Sequence, residues 1–247
     1  IEWVNTRKGQ ADVTKVVEKG KGKFEGPELR GKTLGVIGLG AIGAMVANAA
    51  ANGLGMEVLG KDPFISVKNA WTLSRAIKHA NTIEEVLQKS DFVSVNVPLN
   101  AETKALFNAE RIAQMKPGAH LLNFSRAELV DGQAVRDALA SGQLSTYVVD
   151  FPTDDMIGVK GVICIPHLGA STPESEENCA VMAAAELREY LERGTIHNSV
   201  NLPEMEMGEI DGSRLMVIHD NEPGLVTQIS GLVAEKGINI NSMANRS

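Results

Sequence analysis

The chain has 247 residues, 43% hydrophobic and 22% charged, enough apolar material for one large core and a smaller second domain. Its formal charge of −7 excludes the basic footprint of a nucleic-acid binder and the cationic patch of a membrane-surface protein. No apolar run reaches transmembrane length, no signal peptide is visible, and Cys164 and Cys179 stand apart without a CxxC or a histidine cluster. A cytoplasmic protein with reduced thiols, no metal site, no nucleic-acid partner and no membrane partner is therefore expected.

Residues 1–30 read as an N-terminal arm, with Val13, Val16 and Val17 giving it an apolar face at helical spacing. Thr33-Leu34-Gly35-Val36-Ile37 is a strand-type run, followed at once by Gly38-Leu39-Gly40-Ala41-Ile42-Gly43 and a stretch of helix formers from Ala44 to Asn52. A second strand, Met56–Gly60, ends near Asp62, about twenty residues past the last glycine, where a ribose-binding acid is expected. The glycines Gly38, Gly40 and Gly43 suit a tight turn, close backbone approach to a pyrophosphate, and close helix–strand packing, with phosphates at the helix N-terminus. Asp62 would accept from a 2′-hydroxyl and repel a 2′-phosphate, which selects NAD over NADP.

Strands and helices then alternate, the pattern of a doubly wound, Rossmann-type parallel sheet over residues 31–172. Asp91–Val97 is a strand ending at Pro98, and Asn108 caps a helix through Met115. Ala119–Asn123 is a strand, Asp131–Ser141 a helix stopped by Gly142, and Tyr147–Val149 and Val162–Ile165 are short strands. Pro173–Arg193 is one long helix with Thr172 as N-cap and Gly194 as terminator, within a segment spanning 173–200. A polar linker at 201–212 leads to a last module at 213–247, with a helix over Gly224–Lys236 and a strand-like run at Ile238-Asn239-Ile240. The chain starts on Ile1 and stops just after that run, so an internal piece of a longer protein is expected.

Open α/β sheets bind ligands at the carboxyl ends of their strands. Three features fall there: Arg126, the acidic cluster Asp150 to Asp155, and His167. Meeting beside a nicotinamide, they would serve a 2-hydroxy acid. The guanidinium grips the carboxylate and polarises the carbonyl, the imidazole exchanges the hydroxyl proton, and a carboxylate orients the imidazole. Taken singly, each also suits a plain role: a surface ion pair, a solvated acidic loop, a turn histidine.

Four blocks resemble the D-isomer-specific 2-hydroxyacid dehydrogenases, in that family's order and over roughly residues 31–203. They are Gly35 to Gly43; Met115-Lys116-Pro117-Gly118-Ala119; Asn123-Phe124-Ser125-Arg126 with Leu129-Val130-Asp131; and Pro166-His167-Leu168-Gly169-Ala170-Ser171-Thr172. The resemblance implies catalytic roles for Arg126, His167 and an acid at Asp154, with Asp155 as the alternative. It implies NAD contacts at Gly38, Gly40, Ala41, Ile42, Gly43, Asp62, Val97, Pro98, Phe124, Ser125, Arg126, Asp150, His167, Gly169 and Ala170, with Asp150 on the carboxamide. It also implies an arm that packs on a partner subunit, hence a homodimer or higher oligomer. The long helix would return toward a substrate domain mostly missing from this chain.

Arg214 to Val226 looks like the opening of an ACT domain, a small ferredoxin-like α+β module. Within the family that combination implies oxidation of 3-phosphoglycerate to 3-phosphohydroxypyruvate in L-serine biosynthesis, with L-serine as effector at His219, Asn221 and Asn239. Two departures stand out. The loop Asp150-Phe151-Pro152-Thr153-Asp154-Asp155 is one residue shorter than usual and carries Asp for Glu. Ala127 follows Arg126 where the family has glycine, a strained choice if φ there is positive. The rivals are a reductase of glyoxylate, hydroxypyruvate or pyruvate, and a non-catalytic NAD-sensing protein. The chain itself is expected to bind NAD without full activity.

Overall fold

The computed structural model describes residues 2–210 and 212–246. Ile1, Asp211 and Ser247, which belong to the expected arm, linker and ACT-like segment, lie outside the described residues. The chain divides into two compact units, one up to His167 and one from Leu168 onward.

The first unit is built on β1 (Thr33–Ile37), β2 (Glu57–Lys61), β3 (Ile77–His79), β4 (Phe92–Val95), β5 (Ala119–Asn123), β6 (Leu144–Val149) and β7 (Val162–Cys164). They form one sheet in the order β3-β2-β1-β4-β5-β6-β7, and every pairing is parallel. Central strands of such a sheet are covered on both faces, so they read as unbroken apolar runs rather than alternating ones. Leu34, Val36 and Ile37 in β1 and Val93 and Val95 in β4 are all buried. One buried cluster gathers Leu87, Val93, Val95, Phe107, Leu121, Leu129 and Val135; a second gathers Leu34, Val36, Ala47 and Val58. Strand order reverses between β1 and β4, so the chain leaves the sheet centre in both directions, and in such sheets the carboxyl ends of those strands are where ligands bind.

The helices begin and end where side chains satisfy free backbone groups. Asn108 Oδ1 accepts from Arg111 N at 3.0 Å, ahead of helix Ala109–Ala113. Asp131 Oδ1 accepts from Gln133 N and Ala134 N, ahead of helix Gly132–Ser141, and Gly142 closes that helix at φ +80°. The glycine-rich helix runs over Ala41–Asn48 and continues through a π-helical turn at Ala49–Gly53. The edge strand β3 and helices Val67–Thr72 and Ile83–Lys89 have no counterpart in the sequence reading.

In the second unit Thr172 Oγ1 accepts from Ser175 N at 3.2 Å and opens helix Pro173–Arg193. Gly194, at φ +69°, ends it. Ile196 and Met205 form an antiparallel bridge. The guanidinium of Arg214 donates to the Arg193 and Gly208 carbonyls. Helix Leu225–Glu235 follows Gly224. The strand-like run at Ile238–Ile240 does not form a strand, and neither it nor residues 214–222 belong to any ladder among the described residues. A strand holds its geometry through hydrogen bonds to a neighbour, and among the described residues none pairs with either run.

Candidate functional site

The glycine turn lies at the end of β1 and is defined by what a side chain would strike. Gly38 has φ +88°, and a Cβ there would meet Asn96 O at 2.4 Å. A Cβ on Gly43 would meet Gly38 O at 1.9 Å, so the helix packs on the turn with no room for alanine. Gly40 is different: a Cβ there would meet nothing within 4 Å, so its bare backbone faces open space. That is the cradle a pyrophosphate needs at a helix N-terminus. Asp62, just past β2, is tied to the same turn. Its Oδ2 accepts from Leu39 N at 2.8 Å and its Oδ1 from Phe64 N at 2.8 Å, holding a negative charge beside the glycines. Turn, open glycine and fixed carboxylate fit a dinucleotide with a free 2′-hydroxyl. Val97 is half-buried and Pro98 exposed, just past the end of β4, while Ala41 and Ile42 sit exposed on the first turn of the glycine-rich helix.

Beyond β5, Asn123 is buried within an apolar strand. Its Nδ2 donates to Arg126 O at 2.9 Å and to Tyr147 Oη at 3.2 Å, and its Oδ1 accepts from Ser125 N at 3.2 Å. Ser125 Oγ donates to Val95 O at 2.9 Å. The short loop Asn123 to Arg126 is thereby fixed to β4 and β6, with Phe124 left exposed. Burial pushes the Tyr147 phenol up to about 12, against the smaller opposing effect of its bond to Asn123.

Three further groups stack beside this loop. The Arg126 guanidinium carbon lies 5.0 Å from the Phe151 ring centroid, and the His167 ring lies 4.1 Å from Phe151 on centroids, tilted by 32°. His167 Nδ1 is 2.8 Å from Asp150 Oδ2. Facing a carboxylate, Nδ1 is the nitrogen that carries the proton, which leaves Nε2 free. The His167 side chain is 48% exposed and that of Asp150 only 9%, so the carboxylate is enclosed and the imidazole accessible.

The carboxylate that meets His167 is Asp150, and no hydrogen bond joins Asp154 to the imidazole. Asp154 is exposed at the start of the 3-10 turn Asp154–Met156, of which Met156 is buried. Asp155 pairs with Arg136; the Thr153 hydroxyl and then Arg136 hold its carboxyl below the usual range. In the short loop Asp150 ends its strand close enough to take the imidazole. Ala127 carries no strain, since it lies outside the positive-φ residues and starts the turn Ala127–Leu129.

Asn123, Tyr147 and Phe151 carry no sequence assignment. Asn123 opens one of the blocks that carry the family resemblance, and a lone amide in an apolar strand was a second signal for it. In the second unit, Gly169 and Ala170 form a turn closed by Ser171 N donating to Leu168 O at 3.1 Å. His219 Nδ1 lies 2.7 Å from Asp220 O, and Asn239 Nδ2 donates to Asn241 Oδ1 at 2.7 Å; no hydrogen bond joins His219, Asn221 and Asn239 to one another. Among the described residues no group of three or more His, Cys, Asp or Glu gathers in the manner of a metal site, and no helix is long and apolar enough to cross a membrane.

Sheet order, glycine turn and fixed acid together define a Rossmann-type dinucleotide-binding domain. The chain belongs to the D-isomer specific 2-hydroxyacid dehydrogenases: a match to their NAD binding domain covers residues 3–169. It is 38% identical over 224 residues to D-3-phosphoglycerate dehydrogenase of Escherichia coli (strain K12), covering 86% of this chain and 53% of that protein. It is 37% identical over 192 residues to the Bacillus subtilis (strain 168) enzyme of the same name, covering 75% and 36%. Among solved structures, apo D-mandelate dehydrogenase of Rhodotorula graminis matches with TM-score 0.64 and 28% identity, over 75% of this chain and 55% of that one. A glyoxylate reductase from Paecilomyes thermophila matches with TM-score 0.64 and 26% identity, over 76% and 58%. The chain spans about half the length of the curated relatives it matches most fully.

Proposed function

We propose that the protein to which this chain belongs is an NAD-dependent oxidoreductase acting at C2 of a 2-hydroxy acid, and that its substrate pair is 3-phosphoglycerate and 3-phosphohydroxypyruvate. The observation that carries the reaction class is the His167–Asp150 pair at 2.8 Å, with Arg126 on the same aromatic ring. The substrate assignment rests on relatives at 37–38% identity that bear the name D-3-phosphoglycerate dehydrogenase.

Bound nicotinamide supplies the hydride acceptor in oxidation and the donor in reduction. The Arg126 guanidinium offers two parallel N–H groups to the substrate carboxylate and draws charge from the C2 oxygen. In oxidation the free Nε2 of His167 takes the C2 hydroxyl proton; in reduction it returns one. Asp150 keeps the imidazole in the tautomer that presents Nε2 and stabilises the imidazolium. Phe151 packs against both the guanidinium and the imidazole.

Residues 213–246 are proposed as part of an effector module of ACT type with L-serine at His219, Asn221 and Asn239, on the sequence resemblance of Arg214 to Val226 and the helix that follows. The arm is proposed as a homodimer contact, on its apolar face at Val13, Val16 and Val17. Turnover is tested by following NADH oxidation by the whole protein with 3-phosphohydroxypyruvate, hydroxypyruvate and glyoxylate. Preference for the phosphorylated substrate supports the assignment; preference for glyoxylate or hydroxypyruvate moves it to another reductase of the family. His167→Asn should lower kcat by about 100-fold or more and leave NADH binding in place. Undiminished turnover in that variant rejects the proton-transfer role.

A further inference from the structure

Phe151 touches both side chains to which the chemistry is assigned. The Arg126 guanidinium carbon lies 5.0 Å from the centre of its ring, and the His167 imidazole lies 4.1 Å away on centroids, tilted by 32°. The ring is half-buried and belongs to neither buried apolar cluster, so packing of the core does not account for it. Its neighbours along the chain help to place it. Asp150, one residue earlier, is buried and lies 2.8 Å from His167 Nδ1, so two consecutive residues meet the imidazole, one at its edge and one at its face. Pro152, one residue later, disfavours the helical region for Phe151 and biases it to extended backbone. On the other partner, Asn123 Nδ2 holds the Arg126 carbonyl at 2.9 Å, and the guanidinium donates to the Ser125 carbonyl at 2.7 Å. Among the described residues no acid pairs with Arg126. An aromatic face attracts such a cation without taking up one of its N–H groups.

We propose that Phe151 is a positioning residue that sets the Arg126 guanidinium against the His167 imidazole, so that a 2-oxo acid held by its carboxylate presents its C2 oxygen to Nε2. This rests on the reaction class proposed above. The carboxylate and the C2 oxygen of such a substrate stand on adjacent carbons, so the cation and the proton donor have to keep one separation. A misplacement of about 1 Å can cost on the order of a hundredfold in rate. One ring in contact with both groups couples their positions, which two separately supported side chains would not do.

The test replaces Phe151 in the whole protein, with leucine, which stays apolar but removes the ring, and with tyrosine, which keeps it. The assay uses the 2-oxo acid that the wild type reduces fastest. Phe151→Leu should lower kcat per NADH-binding site by about tenfold to a hundredfold, with a smaller change in KM and with NADH affinity and melting temperature in place. Phe151→Tyr should keep most of the wild-type rate. A ring that only fills space gives the opposite pattern, a lower melting temperature with kcat per binding site unchanged in Phe151→Leu, and that result overturns the proposal. So does a Phe151→Tyr variant as slow as Phe151→Leu. A second measurement needs only the wild-type chain. The ring current of Phe151 should move the His167 ring protons and the Arg126 Nε proton upfield of their ordinary positions in the NMR spectrum, with assignments made from His167→Asn and Arg126→Lys. Ordinary positions for both in the folded chain reject the proposal even if Phe151→Leu fails to fold. A wild-type protein that binds NADH and reduces no 2-oxo acid overturns the reaction class itself, and this inference with it. Turnover by the wild type that Phe151→Leu retains in full overturns this inference alone.

Discussion

The side-chain amide of Asn123 donates to the backbone carbonyl of Arg126 at 2.9 Å, so the residue proposed to grip substrate is placed by a buried amide three positions earlier. The same Nδ2 reaches Tyr147 Oη at 3.2 Å, tying the loop to the next strand. Asn123→Ala leaves a buried phenol and a carbonyl without their donor, a cost of about 1–3 kcal/mol. Urea unfolding should show a lower midpoint with an unchanged slope. A midpoint equal to wild type would mean that the loop is held by Ser125 alone.

Asp62 accepts two backbone N–H bonds, from Leu39 and Phe64, and this fixes the charge that meets the ribose. Asp62→Ala should weaken NADH binding about tenfold and bring NADPH affinity up toward it, because the carboxylate that repels a 2′-phosphate is gone. Parallel titrations with the two reduced dinucleotides read both changes. Retained preference for NADH in the variant would place the selectivity elsewhere.

Two glycines of the turn separate folding from binding. A methyl at Gly43 would sit 1.9 Å from a backbone oxygen, so Gly43→Ala should cost about 1–3 kcal/mol of stability. A methyl at Gly40 strikes nothing, and Gly40 already has φ −66°, open to any residue. Gly40→Ala should therefore melt with wild type and yet lose NADH affinity, because its methyl occupies the space of the pyrophosphate. Normal NADH binding by Gly40→Ala would put the phosphates elsewhere.

Asp91 joins the starts of two strands at the opposite end of the sheet from the glycine turn. It accepts from Thr33 N at 2.8 Å and from Lys116 Nζ at 3.0 Å. Burial alone would raise its carboxyl, but these two donors outweigh burial and hold it below the ordinary value of 3.8. A carboxyl with a lower pKa folded than unfolded stabilises the fold above the unfolded value and loses that as pH falls through the folded one. Asp91→Asn should be about 1–2 kcal/mol less stable at pH 7, and the gap should close as the pH falls below 3.8. A gap that persists in acid would trace the loss to packing rather than charge.

The sheet was legible in the sequence wherever a strand is buried on both faces. Thr33–Ile37 and Ala119–Asn123 have their expected bounds, and the other central strands shift by a few residues at most. Strand β3 was not legible: Ile-Lys-His is three residues at a sheet edge, with only Ile77 half-buried, too short for any period. Helix Ile83–Lys89 did leave a signal, since Thr82 Oγ1 accepts from Glu85 N at 3.1 Å and threonine three before glutamate marks a helix start. The site was legible as residue types and not as pairings. Arg126 and His167 could be read from their blocks, but which acid in a run of three meets the imidazole depends on a loop path that no local pattern encodes. The run Ile238–Ile240, expected as strand-like and left outside any ladder, shows the same boundary. Strand propensity is local, but a ladder requires a partner.

The central claim, that this chain is an NAD-binding domain whose glycine turn and Asp62 select the unphosphorylated dinucleotide, is tested most directly by fluorescence titration of the chain with NADH and NADPH, with circular dichroism on the same sample. The account predicts saturable NADH binding well above NADPH by a folded α/β protein. A folded chain that binds neither, or that binds NADPH as tightly as NADH, would contradict it.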